Sequence, residues 1–284
     1  MMAQENIVLR DGASLPAYRP RCFVPENARF ESPSVVEGLF EKLLSQPVAT
    51  SADFESWLMA RSELEAALDQ EQSVRYIRMT CRTDHQEYAK AYEDFLQNVL
   101  PVVRAYEHKL NQRYLALSVD YPLAVSKIEV FHRHVLADLE LFRTENIPLL
   151  TRLQVLSQEY QSICGAMTVD FEGQEQTLVA MGRYLHETDR QRREMAWRLV
   201  AERRAKEAQR LDALFDRMVV QRNQIAANAG CRNFVDYQFR AYHRFDYTPD
   251  DCRVYYQTAM ELVLPDPAPA MISRGGAGAS LSAP

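Results

Sequence analysis

The scarcity of glycine is the feature of this sequence that most limits its fold. Nine glycines occur in 284 residues, and Gly275, Gly276 and Gly278 fall within the last ten. Because tight turns between strands commonly need glycine, long stretches without it favour helices. Apolar residues recur at helical spacing through these stretches. The sequence therefore predicts an all-α fold, an elongated multi-helix array with at most one small β-hairpin near residues 162–173.

Helices dominate the predicted N-terminal subdomain, residues 34–160. Helical patterns of apolar residues cover residues 35–45, 52–81, 84–117 and 123–158. Ser34 is the predicted N-cap of the first helix. Pro101 is expected to kink or break the third helical run, and Pro148 to interrupt the fourth, because proline removes a backbone hydrogen bond.

Residues 161–264 are predicted to combine a hairpin with a long helix. Residues 162–173 alternate in polarity, which favours an extended hairpin arm. A short helix is predicted over residues 177–185. Asp189 then caps what is predicted to be the longest helix, residues 190–228.

Local signals mark the later helix ends. Gly230 is placed where a left-handed residue closes a helix. Asn233 is the predicted cap of a helix that runs to Arg240. Thr248, followed by a proline and two aspartates, opens the last predicted helix, which ends near Leu264.

The two ends of the chain are predicted to be irregular. Residues 1–33 form an N-terminal arm that contains several prolines. In residues 265–284, fifteen of twenty positions are Ala, Gly, Pro or Ser, a composition typical of disorder. This segment is interpreted either as a flexible tail or as the sign that a natural continuation was lost through truncation or a frameshift.

Composition and charge limit the class of protein. The 33 basic and 39 acidic residues give a net charge of −6, which offers no overall attraction to nucleic acid or to an anionic membrane. Five scattered cysteines are typical of reduced thiols. Neither a signal peptide nor an apolar run long enough to span a membrane is evident. The chain is therefore predicted to be cytoplasmic.

One basic segment, residues 190–206, could be a nucleic-acid-binding stripe. However, Glu194 precedes Arg198 by four residues, and Glu202 precedes Lys206 by four. This is the order that stabilises an exposed helix through ion pairs, so a solvated helix face is favoured.

A search for catalytic metal ligands gives a negative result. A zinc peptidase of the HExxH type needs two histidines four residues apart on one helix. His186 and Glu187 form the one His-Glu pair of the sequence, but Arg190 stands where the second histidine should be. A guanidinium has no free lone pair for a metal. His132 and His134 are only two residues apart, so on a helix they point in different directions.

Four parts of the sequence resemble the N-terminal region of the oligoendopeptidase F family, which belongs to the thimet oligopeptidase-like zinc metallopeptidases. They are SADFESWLMARSELEAALDQEQSVRYIRMTCRTD (51–84), AYEDFLQNVLP (91–101), MTVDFEGQEQTL (167–178) with DRQRREMAW (189–197), and RNQIAANAGCRNFVDYQFRAYHRFDYTPDDC (222–252). The resemblance extends over residues 30–265.

The resemblance implies a fold and an activity. Members of the family are helical clamshells that enclose a channel and hydrolyse short peptides with a zinc ion. The zinc is held by HExxH and a later glutamate, in the second half of the family sequence. Because no position here matches these ligands, no catalytic or metal-binding residue can be assigned. The chain is predicted to supply the N-terminal channel wall and to be inactive alone, without a cofactor of its own.

Two alternatives to a peptidase fragment remain. The chain could be a non-catalytic helical module that binds peptides or a partner, including a separately encoded catalytic half. It could also be an unrelated helical scaffold, although strict heptads are not sustained. Tyr242, His243 and Tyr247 are candidate substrate-binding residues, because they are polar aromatic residues in the part most similar to the family. Packing and capping roles are the alternative for all three.

Overall fold

A computed structural model of the protein describes residues 20–82, 84–123 and 125–263. Ten α-helices lie within these residues: α1 (Pro33–Ser45), α2 (Ser51–Cys81), α3 (Gln86–Asp94), α4 (Leu100–Asp120), α5 (Val125–Leu141), α6 (Asn146–Gly165), α7 (Arg190–Ala205), α8 (Ala208–Asn228), α9 (Phe234–Ala241) and α10 (Pro249–Leu262). Two short strands, β1 (Thr168–Phe171) and β2 (Gln174–Thr177), form one antiparallel hairpin between α6 and α7. The predicted all-α fold with one small hairpin is confirmed.

The largest apolar core joins α1 to α5. In α1, the buried side chains Val36, Leu39, Phe40 and Leu43 recur every three or four residues and form one face. Trp57 of α2 is fully buried, and its Nε1 donates to the carbonyl oxygen of Leu43 at 3.0 Å. Each large apolar side chain buried in this way stabilises the fold by about 1.5–3 kcal/mol.

The first two helices begin close to their predicted starts. The residue before α1 is Ser32, so the prediction that Ser34 is the cap was wrong. Pro33 explains the difference, since proline fits the first helical position, where its missing N–H costs nothing. Thr50 caps α2 by accepting a hydrogen bond from the Asp53 amide at 3.1 Å.

The predicted helical run over residues 84–117 is divided at Pro101. A π-helical turn, Phe95–Val99, separates α3 from α4, and Pro101 lies in the first turn of α4. Because proline has no N–H, it cannot donate to the preceding turn, and the wider π turn accommodates this loss. The predicted kink or break therefore takes the form of a π turn just before Pro101, and the helical winding continues from α3 into α4.

The break predicted at Pro148 lies slightly earlier in the chain. Helix α5 ends at Leu141 and α6 begins at Asn146, so Pro148 stands within the first turn of α6. In that position a proline needs no backbone donor and favours the start of a helix.

The hairpin is shorter than predicted and begins later. Residues 162–165 belong to α6, and the extended backbone starts at Thr168. Glu172 and Gly173 make the turn with φ of 57° and 77°, the left-handed backbone of a two-residue hairpin loop. The helix predicted over residues 177–185 is a 3-10 helix, Ala180–His186.

The prediction of one long helix over residues 190–228 was wrong, because the structure has two helices there, α7 and α8. Helix α7 packs on the 3-10 helix and β1, whereas α8 packs on α6. The residues around the break, from 202 to 210, are mostly charged and none is buried. No shared core therefore holds the two helices in line, and Arg203 pairs with Glu207 at 3.0 Å across the break.

The predicted caps of the later helices are confirmed. Asp189 accepts from the amides of Gln191 and Arg192, and Asn233 accepts from the Asp236 amide. Gly230 follows α8 with φ of 72°. Thr248 and Asp251 form a reciprocal capping box at the start of α10.

Residues 1–19 and 264–284 lie outside the described residues, so the predicted arm is described only from residue 20 and the tail is not described. All five cysteines are free. Within the described part of the chain, no helix is both long and apolar enough to cross a membrane.

Candidate functional site

A cavity of about 350 Å³ lies among α2, α4, α5, α6 and α9. This volume is at the lower end of the range for ligand-binding cavities, roughly 300–1,000 Å³. Charged and polar side chains from five helices converge on it. Such a cavity, with convergent polar groups and a perturbed carboxyl, is the natural candidate for a functional site.

Arg61 is the most buried charged residue of the cavity wall, with 5% of its surface exposed. Its Nε donates to Glu65 Oε1 at 2.7 Å, and its Nη2 donates to Asn111 Oδ1 at 2.6 Å. The guanidinium also lies over the Phe131 ring, 5.2 Å from its centroid. These contacts hold the charge in a fixed orientation and offset part of its desolvation.

Glu107 lines the cavity, and within the described residues its carboxyl group forms neither an ion pair nor a hydrogen bond. Burial, followed by the negative charge of Glu65, raises the pKa of the Glu107 carboxyl to about 7. The positive charges of Arg61 and Arg104 oppose the rise, and Asp138 adds to it. A carboxyl that titrates near neutrality can accept or release a proton under physiological conditions.

Arg104 lies beside Glu107 but hydrogen-bonds neutral partners of α6. Its Nη1 donates to Thr151 Oγ1 at 3.4 Å, and its Nη2 donates to Gln154 Oε1 at 3.0 Å. Burial lowers the pKa of the Arg104 guanidinium, although arginine stays charged in this range. The cavity wall therefore presents a cation and a titrating acid side by side.

His243 reaches the cavity from an unusual backbone conformation. Its φ is 52°, a left-handed value that is uncommon for a residue with a side chain. The His243 amide donates to Arg240 O at 2.9 Å, and the Arg244 amide donates to Phe239 O at 3.0 Å, which together close α9 as a Schellman motif. Glycine is the usual residue at this position, so the structure tolerates strain to place an imidazole here.

Side-chain contacts hold the His243 ring in place. Its Nε2 is 2.8 Å from Asp138 Oδ1, and its ring stacks on that of His134 with centroids 4.0 Å apart. Burial, followed by the neighbouring His243, lowers the pKa of the His134 imidazole. His134 and Asp138 lie one helical turn apart on α5, and His243 joins them by stacking on the first and bonding to the second.

Tyr242 and Tyr247 do not line the cavity and lie on an exposed surface, Tyr242 between the cavity residues Ala241 and His243 in the sequence. They are 61% and 44% exposed, respectively. Arg244 lies against both rings, 5.1 Å from the Tyr242 centroid and 5.9 Å from the Tyr247 centroid, and 5.0 Å from that of Phe239. Of the three predicted site residues, the structure therefore brings His243 to the cavity and groups Tyr242 and Tyr247 around Arg244.

The sequence prediction did not include Arg61, Arg104 or Glu107. A signal for Arg61 was present, since it lies in the same helical stripe as Trp57 and Leu64. A charged residue within an apolar stripe indicates a buried polar site. Glu107 gave no comparable signal, because residues 104–108 are all partly buried and none of them belongs to a clearly apolar stripe.

The histidines and acids of the described residues do not fit a zinc ion. The stacked rings of His134 and His243 are nearly parallel, with 10° between their planes, so their in-plane lone pairs cannot converge on one ion. Glu187 is bound to Arg192 at 2.7 Å, and Arg190 opens α7. Within the same residues, no three His, Cys, Asp or Glu side chains form a group that could hold a metal.

Comparison with known proteins finds one family model that matches part of this chain. Residues 31–142 match the family model described as the Peptidase M3 N-terminal domain. No protein of curated function matches the chain.

Three solved structures have a similar fold. The first, assigned provisionally as an oligoendopeptidase F from Bacillus anthracis str. Ames, is 20% identical with a TM-score of 0.74, and the match covers 87% of this chain and 46% of that chain. A second provisional oligoendopeptidase F is 20% identical with a TM-score of 0.74, over 89% of this chain and 43% of that chain. PZ peptidase A with an inhibitor is 19% identical with a TM-score of 0.73, and the match covers 83% of this chain and 42% of that chain.

This chain therefore spans under half the length of the structures that it matches. The predicted resemblance is confirmed: the fold is that of an oligoendopeptidase F-like N-terminal half.

Proposed function

We propose that this chain supplies the N-terminal, non-catalytic wall of a zinc-dependent oligopeptidase of the M3 type. In this function it binds short peptides and does not hydrolyse them by itself. The observation that carries the proposal is the unequal coverage of the fold match, which takes in 87% of this chain but 46% of the Bacillus anthracis chain.

The ligand chemistry of the sequence supports the non-catalytic part of the proposal. Zinc lowers the pKa of a bound water to generate a nucleophile, and it polarises the scissile carbonyl. No HExxH motif occurs in the 284 residues, and the imidazoles of the cavity do not converge. Zinc would therefore be held by a catalytic part beyond these residues, encoded in the same chain or separately.

The aromatic surface beside the cavity supports the peptide-binding part. Tyr242 and Tyr247 present exposed rings with hydroxyl groups that can pair with a peptide backbone. His243 and Asp138 supply a donor and an acceptor just inside the cavity. We propose Tyr242, His243 and Tyr247 as the residues that contact a peptide.

Binding and hydrolysis can be tested separately on the purified chain. A fluorescently labelled peptide of five to ten residues, followed by anisotropy, is expected to bind weakly. Tyr247→Ala and Tyr242→Ala are each expected to weaken binding severalfold, because each removes an aromatic contact worth about 1 kcal/mol. Tyr160→Ala is the matched control, since Tyr160 is also half exposed but lies on α6.

The same peptide with a quencher at its far end reports cleavage. We expect no cleavage with added zinc. Cleavage by the pure chain that a chelator abolishes would contradict the non-catalytic proposal. Equal binding by Tyr247→Ala and the unaltered chain would remove the proposed contact surface.

A second candidate function is a helical module that binds a protein partner. The observation that favours it is the exposed apolar face of α10. We also propose that the chain acts without nucleic acid, in line with its net charge of −6. The proposed location is the cytoplasm, where thiols such as its five free cysteines stay reduced.

A further inference from the structure

The cavity wall holds a cation and an acid that do not pair with each other within the described residues. Arg104 and Glu107 lie one turn apart on the same face of α4, and both line the cavity. Arg104 donates to two neutral side chains of α6, whereas the closest charges around Glu107 include Glu65 and Arg61 of α2. The two side chains are therefore drawn toward different helices instead of toward each other.

Arg104 keeps donors free for a ligand. A guanidinium carries five N–H groups, and the hydrogen bonds of Arg104 within the described residues use two of its nitrogens, Nη1 and Nη2, both with neutral acceptors. No carboxylate of the described residues therefore neutralises its charge through a hydrogen bond. Because a desolvated charge without a counterion is costly, a carboxylate that enters the cavity gains free energy by pairing with it.

Glu107 offers the matching partner for a cation. Its side chain keeps part of its surface accessible and lines the cavity, so a ligand can reach the carboxyl group. A positively charged group placed beside it would favour the ionised carboxylate and offset the effect of burial. The wall thus provides one site for a negative group and one for a positive group, on neighbouring turns of one helix.

Two further polar atoms of the wall have no hydrogen-bond partner among the described residues. They are Nη1 of Arg61, a side chain that is only 6% exposed, and Nδ1 of His108. Buried polar atoms in folded proteins are almost always hydrogen-bonded. Unpaired polar atoms in the wall of a cavity therefore indicate that its occupant is polar at this end.

The other end of the cavity wall is apolar. Leu141 of α5 and both Ile147 and Leu150 of α6 line the same space. A cavity of about 350 Å³ is small for a ligand site and suits one amino acid better than a peptide of several residues. The wall therefore matches a small molecule with charges of both signs at one end and an apolar group at the other.

We propose that the cavity binds a free α-amino acid with an apolar side chain. The carboxylate of the ligand accepts from Arg104, its ammonium group donates to Glu107, and its side chain packs on the apolar part of the wall. A ligand with a single charge would leave either Arg104 or Glu107 without a partner, so the zwitterion is the class that fits. The inference goes beyond the proposed function and does not depend on the exposed tyrosines.

Calorimetric titration of the 284-residue chain with L-leucine at pH 7.5 tests the site, and we expect one leucine bound per chain. N-acetyl-leucine lacks the ammonium group and leucinamide lacks the carboxylate, so each is expected to bind at least about tenfold more weakly. Absence of leucine binding overturns the proposal, and so does a blocked compound that binds as tightly as leucine. Tighter binding of leucyl-leucine also overturns it, by identifying a dipeptide as the occupant.

Variants of the wall test the two assigned partners. Glu107→Gln and Arg104→Gln each remove one charge and are expected to weaken leucine binding at least about tenfold. Glu55→Gln, an exposed change in α2, is the control and is expected to leave the affinity unchanged. Circular dichroism checks that the variants fold. Leucine binding that a folded Glu107→Gln variant leaves unchanged contradicts the proposal.

The pH dependence of the affinity identifies Glu107 as the partner of the ammonium group. The pKa of its carboxyl is about 7, and only the ionised form pairs with a cation. Because the apparent affinity follows the fraction of competent protein, leucine is expected to bind roughly twentyfold more tightly at pH 7.5 than at pH 5.5.

Other charged and titratable groups line the cavity with Glu107. The arginines, which stay charged, are Arg61 of α2, Arg104 of α4 and Arg143 after α5. The other carboxyl groups are Glu65 of α2 and Asp138 of α5. The histidines are His108 of α4, His134 of α5 and His243 after α9. The phenol is that of Tyr237 of α9, whose pKa is raised by burial.

The histidines make a variant necessary, because histidine also takes up protons between pH 5 and 8. Leucine affinity of Glu107→Gln is therefore measured at the same two pH values. This variant is expected to lose most of the pH dependence. A variant that keeps the full dependence would assign it to the histidines and overturn the role of Glu107.

The outcome is separable from that of the proposed function. Peptide binding that depends on Tyr247, combined with no binding of leucine, would reject the amino-acid site alone. Leucine binding that depends on Glu107 and Arg104, combined with no peptide binding, would reject the proposed function alone.

Discussion

Glu107 shows how a single buried group can set the pH response of the molecule. Its pKa is raised from the ordinary 4.5 to about 7, mainly because burial disfavours its charge. In the folded state the carboxyl therefore keeps its proton over a range in which the unfolded chain has already lost it. The folded state binds more protons than the unfolded state, so stability falls as the pH rises through this range.

Replacing Glu107 by glutamine is expected to stabilise the chain at high pH. Above pH 7 the carboxylate is charged in both states and its burial costs stability, on the order of 3 kcal/mol. Below pH 4.5 the group is neutral in both states and the cost disappears. Urea unfolding of Glu107→Gln and the unaltered chain should therefore differ clearly at pH 8 and little at pH 4.5.

Glu55→Gln, an exposed change in α2, is the control and should have the same effect at both pH values. A stabilisation by Glu107→Gln that does not depend on pH would mean that shape, and not charge, is responsible.

At the residue scale, the sequence predicted the site only in part. His243 was chosen as a polar aromatic residue, and it does reach the cavity. Its left-handed backbone and its bond to Asp138, 105 residues away, depend on how α5 and α9 meet. Contacts over such separations are tertiary, so no local pattern of residues encodes them.

At the scale of elements, two glycines illustrate opposite roles. Gly173 takes a φ of 77° in the hairpin turn, where a side chain would be strained. Gly38 lies within α1, and a methyl group added there would meet nothing within 4 Å. The first glycine is required by its backbone, whereas the second only lowers the helix propensity.

Alanine at the two positions is expected to change stability in opposite directions. Gly173→Ala should reduce the free energy of unfolding by about 1–2 kcal/mol, the cost of a left-handed alanine. Gly38→Ala should increase it by about 0.5–1 kcal/mol through helix propensity. Chemical denaturation measures both changes, and a shared sign would show that one of the two backbone assignments is wrong.

Helix starts could be predicted from sequence better than helix continuity. Asp189, Asn233 and Thr248 all cap helices as predicted, because a cap acts on amides two or three residues away. The prediction of one long helix over residues 190–228 failed, because whether a helix continues depends on which neighbours its two parts pack against. Residues 202–210 are compatible with a helix by propensity and yet contain the break.

At the scale of the whole molecule, the helices are not equally integrated. The main core is built from side chains between Phe23 and Val135, and three smaller apolar clusters join α6 to α9 with the hairpin. Tyr237 of α9 belongs to one of these clusters, whereas α10 adds no buried side chain to any of them. The chain should therefore tolerate loss of α10 better than loss of α9.

A chain ending at residue 248 is expected to keep its thermal midpoint within about 2 °C, since no core side chain is removed. A chain ending at residue 233 also loses Tyr237 and should melt at a clearly lower temperature. Differential scanning calorimetry of both chains makes the comparison. A large loss on removing α10 alone would show that this helix stabilises the core despite its exposure.

The fold class and most helices followed from glycine scarcity and apolar spacing, because both act locally along the chain. The cavity did not, since it is formed where five separate helices meet. The sequence could indicate that Arg61 lies in an apolar stripe one helical turn before Glu65, but not that Asn111 of α4 would orient it.

The π-helical turn Phe95–Val99 determines how this protein responds to the loss of one residue between α3 and α4. Such a turn holds one residue more than an α-helical turn would, so deleting any one of the five would restore regular winding. Five residues in the wider winding and four in the α winding turn the chain through nearly the same angle, so everything downstream would keep its orientation relative to α3. Arg104 and Glu107 would still face the cavity after such a deletion. A residue deleted between Leu100 and Val103, where the winding is already α-helical, would instead turn both side chains about 100° away from it.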